Sequence, residues 1–191
     1  MPAAYSRALD EALALAAQAH HGQLRKGSDV PYIQHPVHVA LLLVRHGFPD
    51  EVVIAGVLHD VVEDTDVQLS YIAARFGTEV ARLVEGVTER KTDEAGQERP
   101  WRTRKEEQLR HLAEADPACA ALKAADALHN CQTTLGDVMR LGAAAWSRFK
   151  VPAEEQLWYY TNLAQLVRQR LGPHPLCDEL EAAVAELSRM C

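Results

Sequence analysis

The chain has 191 residues, of which 48% are hydrophobic and 25% charged, a composition typical of a folded globular protein rather than a disordered one. No apolar run approaches the roughly 20 residues that a membrane-spanning helix needs. The net charge of -7 argues against non-specific nucleic-acid binding as the main task, although a local basic patch can still bind an anionic small molecule.

The N-terminal residues and the cysteines favour the same compartment. Met1 to Arg7 lacks the basic start and the apolar stretch of a secretory signal. No pair of cysteines has the C-x-x-C spacing of a zinc ribbon or a redox dithiol. We therefore expect reduced thiols and a cytoplasmic protein. The cysteines concerned are Cys119, Cys131, Cys177 and Cys191.

Hydrophobic residues recur with helical period along almost the whole chain, and no segment shows the clean alternation of a strand. Residues 91–100 are polar and contain Gly96 and Pro100, so they form a predicted loop. We predict one all-α domain, a helical bundle over residues 1–191. The predicted helices are Ala3 to His20, His35 to His46, Glu51 to Val62 with Asp50 as N-cap, Val67 to Phe76 ending at Gly77, Thr78 to Val87, Trp101 to Ala115, Pro117 to Asn130, Glu154 to Leu171 and Leu176 to Met190.

Four ionisable side chains follow directly after the apolar stretch that ends at Leu58. On a continuous helix His59 would stack with Glu63, and Asp60 with Asp64, because residues four apart share a face. Imidazole and carboxylate together suit manganese, iron or zinc, so a divalent cation would compensate their burial. The alternative is an exposed acidic helix end.

Two further positions carry candidate ligands. Asp126 lies in a run of Ala and Leu, where an acid needs a cation, either a metal ion or a salt-bridge partner such as Lys123 or another base. His35 precedes an apolar run, as a ligand or as a helix cap. With His59 and Asp60 these residues make a set of two imidazoles and two carboxylates, which leaves coordination positions open for water, as metal-assisted hydrolysis requires.

The order His, His-Asp, distant Asp resembles the HD-domain metal-dependent phosphohydrolases. The wider motifs resemble the hydrolase domain of the RelA/SpoT family, and the length is similar to that of a stand-alone small alarmone hydrolase. The resemblance covers roughly residues 8–166. It is carried by His20-His21-Gly22-Gln23-Leu24-Arg25-Lys26-Gly27, Pro31-Tyr32-Ile33-Gln34-His35-Pro36, His59-Asp60-Val61-Val62-Glu63-Asp64-Thr65, Phe76-Gly77, Leu83 to Thr88, and Lys123 to Thr133.

The resemblance implies a guanosine tetra- or pentaphosphate 3′-pyrophosphohydrolase of the stringent response that uses one Mn²⁺ ion, with other divalent metals as alternatives. It implies that the catalytic residues Glu63 and Asp64 orient or activate water and handle protons. The metal ligands implied are His35, His59, Asp60 and Asp126. The substrate contacts implied are Arg25 against the guanine ring, Lys26 on phosphate, Asn130 and Thr133 on ribose or phosphate, and Tyr159 on the nucleotide side.

Two positions depart from the family pattern. Ala127 stands where the family usually has Lys or Arg, and Gln132 stands where many members have Arg. All four implied metal ligands are present, but two positive charges that would bind the phosphates are missing. Two alternatives therefore stay open: hydrolysis of another nucleotide, such as NADPH or a nucleoside phosphate, and a non-catalytic nucleotide sensor. We expect neither nucleic acid nor a membrane as partner, and the sequence indicates no particular oligomeric state.

Overall fold

The computed structural model describes residues 6–190, and every regular element in this range is helical. The all-α prediction is confirmed. Residues 3–5 of the first predicted helix, and Cys191, lie outside the described residues. The α-helices are α1 Arg7–Ala19, α2 Gln34–Arg45, α3 Asp50–Leu58, α4 Val61–Asp64, α5 Leu69–Phe76, α6 Thr78–Val87, α7 Trp101–Glu114, α8 Pro117–Leu141, α9 Ala153–Leu171 and α10 Pro175–Arg189, and a 3-10 helix spans Gly142–Arg148.

The chain forms two compact units, one up to Thr88 and one from Glu89 onward. In the first unit α3 packs against α1, α2 and α6. Every residue from Val52 to Leu58 is buried, so this helix is the centre of that unit's core. In the second unit α8 packs against α9, α10 and the 3-10 helix. The assignment of residues 1–191 to a single domain stays a prediction.

The predicted helix from Glu51 to Val62 is interrupted. The α3 helix ends at Leu58 and α4 begins at Val61, so His59 and Asp60 lie in the break, where Asp60 has φ −94° and ψ −8°. Asp50 as N-cap was wrong: it is the first helical residue, and Pro49 precedes it in extended conformation without a side-chain cap. The break places two candidate ligands at a junction rather than along one helical face.

Other helices begin or end at residues that commonly occupy helix termini. Gly77 ends α5 with φ 94°, as predicted, because glycine adopts this conformation without strain. Asp116 caps α8 by accepting a hydrogen bond from the backbone nitrogen of Cys119 at 2.9 Å, and Pro117 occupies the first turn as predicted. The α8 helix continues past its predicted end at Asn130 to Leu141.

The predicted loop of residues 91–100 contains no helix. Its ends are joined by a backbone hydrogen bond from Arg99 to Lys91 at 2.9 Å, and its tip by one from Asp93 to Gln97 at 2.9 Å. Lys150 also forms an ion pair with Glu98 at 2.6 Å. The loop is therefore a closed hairpin-like turn.

Cys119, Cys131 and Cys177 are free thiols, and all three are buried. Within residues 6–190 no helix is both long enough and apolar enough to span a membrane.

Candidate functional site

His59 is held at the C-terminal end of the buried helix α3. Its Nδ1 atom lies 2.8 Å from the carbonyl oxygen of Gly56, an acceptor, so Nδ1 is the donor in this contact. Nε2 lies 3.1 Å from Oδ2 of Asp60. The imidazole is only 3% exposed. Its orientation is therefore fixed by the backbone one turn earlier.

His35 approaches the same carboxylate oxygen from α2. It is the second residue of that helix and is 1% exposed. Its Nε2 atom lies 3.5 Å from Oδ2 of Asp60, and its ring meets the His59 ring edge-on at 5.1 Å between centroids. The structure thus brings together three of the four predicted ligands within the first unit.

This donor set fits a divalent cation. His59 Nε2 and Oδ2 of Asp60 lie 3.1 Å apart, and an imidazole nitrogen next to a carboxylate oxygen is a pair of ligands that suits a divalent cation. A histidine ligand commonly donates its other ring nitrogen to a backbone carbonyl, as His59 does to Gly56. The first unit therefore contains a possible His/Asp metal site.

Tyr32 is a site residue that sequence reasoning missed. Its hydroxyl lies 2.6 Å from Oδ2 of Asp60 and 3.2 Å from Oδ2 of Asp64. Burial, with the negative charges of Asp60 and Asp64, raises the pKa of Tyr32 far above its ordinary value, so the phenol stays protonated and donates. The only signal in the sequence was its place in the Pro31-to-Pro36 motif.

The segment that carries Tyr32 is also tied to the acid turn, residues 60–64. Nδ1 of the buried His20 lies 2.8 Å from Oε1 of Gln23, and Nε2 of Gln23 donates to the carbonyl oxygen of Asp64 at 3.1 Å. The ring of His20 packs on the ring of Tyr32 with 4.8 Å between centroids. The segment beginning at His20 therefore supports the acid turn through these contacts.

The predicted substrate and catalytic residues of the first unit lie in the same region. The guanidinium carbon of Arg25 lies 5.5 Å from the centre of the Tyr32 ring. Lys26 is exposed in the turn that follows. Glu63 and Asp64 are half-buried at the end of α4. The Asp64 carboxylate accepts a hydrogen bond from the Tyr32 hydroxyl.

In the second unit, Asp126 lies on α8 with its side chain 13% exposed. Lys123 forms an ion pair with its Oδ2 atom at 3.0 Å, and Asn130 donates from Nδ2 to its Oδ1 atom at 2.6 Å. The salt bridge that the sequence left open as an alternative is therefore present. The hydroxyls of Thr133 and Thr134 donate to the Asn130 carbonyl oxygen at 3.1 and 2.8 Å.

Tyr159, a predicted nucleotide contact, is 5% exposed on α9. Its hydroxyl lies 2.8 Å from Oε1 of Gln108, and the Lys105 ammonium lies 4.8 Å from its ring centre. Lys105 is held by Glu89 at 2.5 Å, and Arg104 is paired with the same carboxylate. These two cations are part of a largely buried charge network centred on Glu89.

Comparison with known proteins identifies the family of this chain. The protein-family model described as "HD domain" matches residues 12–148. The chain belongs to the HD-domain family. The position of the match is consistent with the motifs, because it includes His35, the His59-Asp60 doublet and Asp126.

Two relatives of this HD-domain chain carry the same activity in their names. The guanosine-3′,5′-bis(diphosphate) 3′-pyrophosphohydrolase MESH1 of Mus musculus is 37% identical over 180 residues, which cover 93% of this chain and 90% of the relative. The guanosine-3′,5′-bis(diphosphate) 3′-pyrophosphohydrolase of Aquifex aeolicus is 36% identical over 168 residues, which cover 86% of this chain and 22% of that longer relative. The resemblance seen in the sequence is thereby confirmed.

Two solved structures are also similar to this chain. The crystal structure of lmo0812 from Listeria monocytogenes EGD-e matches with a TM-score of 0.69 and 36% identity, covering 81% of this chain and 93% of that one. A metazoan ortholog of SpoT, described as hydrolyzing ppGpp, matches with a TM-score of 0.75 and 27% identity, covering 97% of this chain and 96% of that one.

Proposed function

We propose that this chain is a divalent-metal-dependent guanosine tetra- or pentaphosphate 3′-pyrophosphohydrolase. The observation that carries the proposal is the approach of two imidazole Nε2 atoms to one oxygen of Asp60, at 3.1 and 3.5 Å, in a chain that matches pyrophosphohydrolases over most of its length. A cytoplasmic location stays a prediction.

We assign His35, His59 and Asp60 of the first unit and Asp126 of the second unit as metal ligands, with Mn²⁺ as the metal. A bound divalent cation polarises a phosphoryl oxygen and lowers the pKa of bound water, so that hydroxide forms near neutral pH. Support for Asp126 comes from the family motif and from its two donors, Lys123 and Asn130, which hold the carboxylate in one orientation.

The reaction consumes one water and breaks the bond between the ribose 3′ oxygen and phosphorus. In this proposal the carboxylates of Glu63 and Asp64 orient the water, accept its proton and return a proton to the departing 3′ oxygen. Arg25 stacks on the guanine plane, and Lys26 neutralises phosphate charge. Asn130, Thr133 and Tyr159 remain proposed contacts of the ribose, phosphates and nucleotide.

A second candidate is hydrolysis of another nucleotide by the same metal chemistry. Two features favour it. Ala127 and Gln132 leave the motif around Asp126 without the positive charges that the family pattern has there, and Glu89 pairs with both Arg104 and Lys105. Fewer uncompensated cations favour a substrate with fewer phosphates, or a phosphorylated dinucleotide such as NADPH.

The test is a hydrolysis assay on the purified chain. With Mn²⁺ and guanosine tetraphosphate we expect guanosine diphosphate and pyrophosphate in equal amounts, separated by ion-exchange chromatography. His35→Ala should abolish turnover, whereas the matched His38→Ala, on the exposed face of the same helix, should not. Absence of turnover with Mn²⁺, Fe²⁺, Co²⁺ and Zn²⁺ would exclude this function, and preferential turnover of NADPH or a nucleoside phosphate would select the second candidate.

A further inference from the structure

The Tyr32 hydroxyl lies between two carboxylates of the acid turn. It is 2.6 Å from Oδ2 of Asp60 and 3.2 Å from Oδ2 of Asp64. The Asp60 oxygen that it reaches is the same one that lies 3.1 Å from His59 Nε2 and 3.5 Å from His35 Nε2. The Tyr32 hydroxyl thus donates to the same Asp60 oxygen that the two candidate histidine ligands approach.

The position of this hydroxyl is set by its own segment. The backbone nitrogen of Tyr32 donates to the carbonyl oxygen of Gln23 at 2.9 Å, and the Tyr32 ring packs on His20. The Gln23 side chain in turn donates to the backbone of Asp64 at 3.1 Å. Since these contacts do not involve the side chain of Asp60, they hold the phenol in place independently of that carboxylate, which the phenol then orients.

An ordered hydrogen-bond donor matters for the Asp60 carboxylate in particular. It lies in the break between α3 and α4, and its side chain makes no capping hydrogen bond to α4. A carboxylate that ligates a metal loses affinity when it samples several rotamers, because the ordering cost then falls on metal binding. A hydrogen bond from an already ordered phenol removes that cost before the ion arrives.

We propose that Tyr32 is a positioning residue: its hydroxyl donates to Asp60, orients that carboxylate for the divalent cation, and holds Asp64 beside it. The inference rests on the proposed metal site and adds to it a residue that acts on the metal through Asp60. Loss of the hydroxyl should weaken cation binding and slow turnover, while leaving recognition of the nucleotide almost unchanged.

The test is Tyr32→Phe, which removes one oxygen and keeps the ring. We expect the Kd for Mn²⁺, measured on the full chain without nucleotide by electron paramagnetic resonance titration, to rise about tenfold or more. At saturating Mn²⁺ we expect kcat to fall about tenfold and KM to change less than about twofold. Tyr71→Phe, at a tyrosine that is 51% exposed on α5, is the control and should change none of these values.

A double-mutant cycle separates positioning from general structural support. If Tyr32 acts through the acid turn, the effects of Tyr32→Phe and Asp64→Asn on kcat are non-additive, whereas independent structural damage adds. A Mn²⁺ Kd and kcat both within twofold of the original chain would overturn the inference. So would additive effects in the cycle.

The two proposals fail separately. If the original chain binds Mn²⁺ but hydrolyses no nucleotide, the proposed function falls, and the Mn²⁺ titration of Tyr32→Phe still decides the role of the phenol. If the original chain is an active hydrolase and Tyr32→Phe matches it in both measurements, only the positioning role falls.

Discussion

The side-chain nitrogen of Asn130 lies 2.6 Å from Oδ1 of Asp126, one helical turn away on α8. Lys123, one turn earlier on the same helix, occupies the other oxygen at 3.0 Å. Both carboxylate oxygens therefore accept hydrogen bonds from groups on their own helix. Asn130, which the family resemblance assigns to the substrate, is also placed to orient a proposed metal ligand.

Replacement of Asn130 by Ala separates these two roles. Because the amide orients Asp126, we expect the Kd for Mn²⁺ to rise about tenfold, the usual scale for a hydrogen-bond partner of a metal ligand. Gln132→Ala, an exposed position on the same helix, is the matched control and should leave the Kd unchanged. An unaltered Mn²⁺ titration together with a raised KM would assign the amide to the nucleotide alone.

The Glu63 carboxylate is expected to act on protons rather than on the metal. Glu63→Gln should therefore retain Mn²⁺ with an unchanged Kd while kcat falls about 10²- to 10⁴-fold, the range for loss of a general acid or base. Glu51→Gln, an exposed acid in the first turn of α3, should behave like the original chain. Unchanged kcat in Glu63→Gln would show that this residue takes no part in proton transfer.

Gly56 links the core of the first unit to the candidate metal ligand His59. Its carbonyl oxygen accepts from His59, and a Cβ added to it would lie 2.6 Å from Cδ1 of Leu43, which is fully buried in α2. Gly56→Ala should therefore lower the free energy of unfolding by up to about 2 kcal/mol, since overpacking costs about 1–3 kcal/mol and the helix-propensity gain offsets about 1 kcal/mol of it. Urea denaturation measures the change.

The matched control for this change is Gly136→Ala. A Cβ there meets nothing within 4 Å, although Gly136 also lies inside a helix, α8. The same propensity gain should therefore appear without overpacking, and we expect up to about 1 kcal/mol of stabilisation. Equal effects at the two glycines would mean that Leu43 moves aside at no cost.

Local chemistry made much of this molecule predictable. Helical periodicity and punctuation at Gly77 and Pro117 located most elements, because these signals depend on residues within a turn or two. The order of the motif residues also pointed to His35, His59 and Asp60 as a group, and the three side chains do lie together in the fold. Asp126 and the catalytic and substrate assignments stay predictions, since they depend on a ligand.

The features missed depend on contacts between distant segments. The break at His59 and Asp60 is invisible to periodicity, because the apolar pattern continues through Val61 and Val62. Tyr32 donates a hydrogen bond to a residue 28 positions away, and nothing in the local sequence pattern distinguishes it from a packed tyrosine. The α8 helix continues beyond Asn130 although Gly136 has a low intrinsic helix propensity. Packing of α8 against its neighbouring helices stabilises this continuation.

Glu89 is the centre of the buried charge network in the second unit. It is 7% exposed and pairs with Arg104, which is 8% exposed, and with Lys105 at 2.5 Å. Glu89→Gln keeps the volume but removes the negative charge that both cations contact in a largely buried site, so we expect a loss of roughly 3–5 kcal/mol in the free energy of unfolding, measured by urea denaturation. Glu79→Gln, which breaks an exposed pair with Arg82 on α6, should cost no more than about 0.5 kcal/mol. If the two substitutions cost the same, the buried network contributes no more than a surface pair, and the Arg104 and Lys105 charges are compensated by another group.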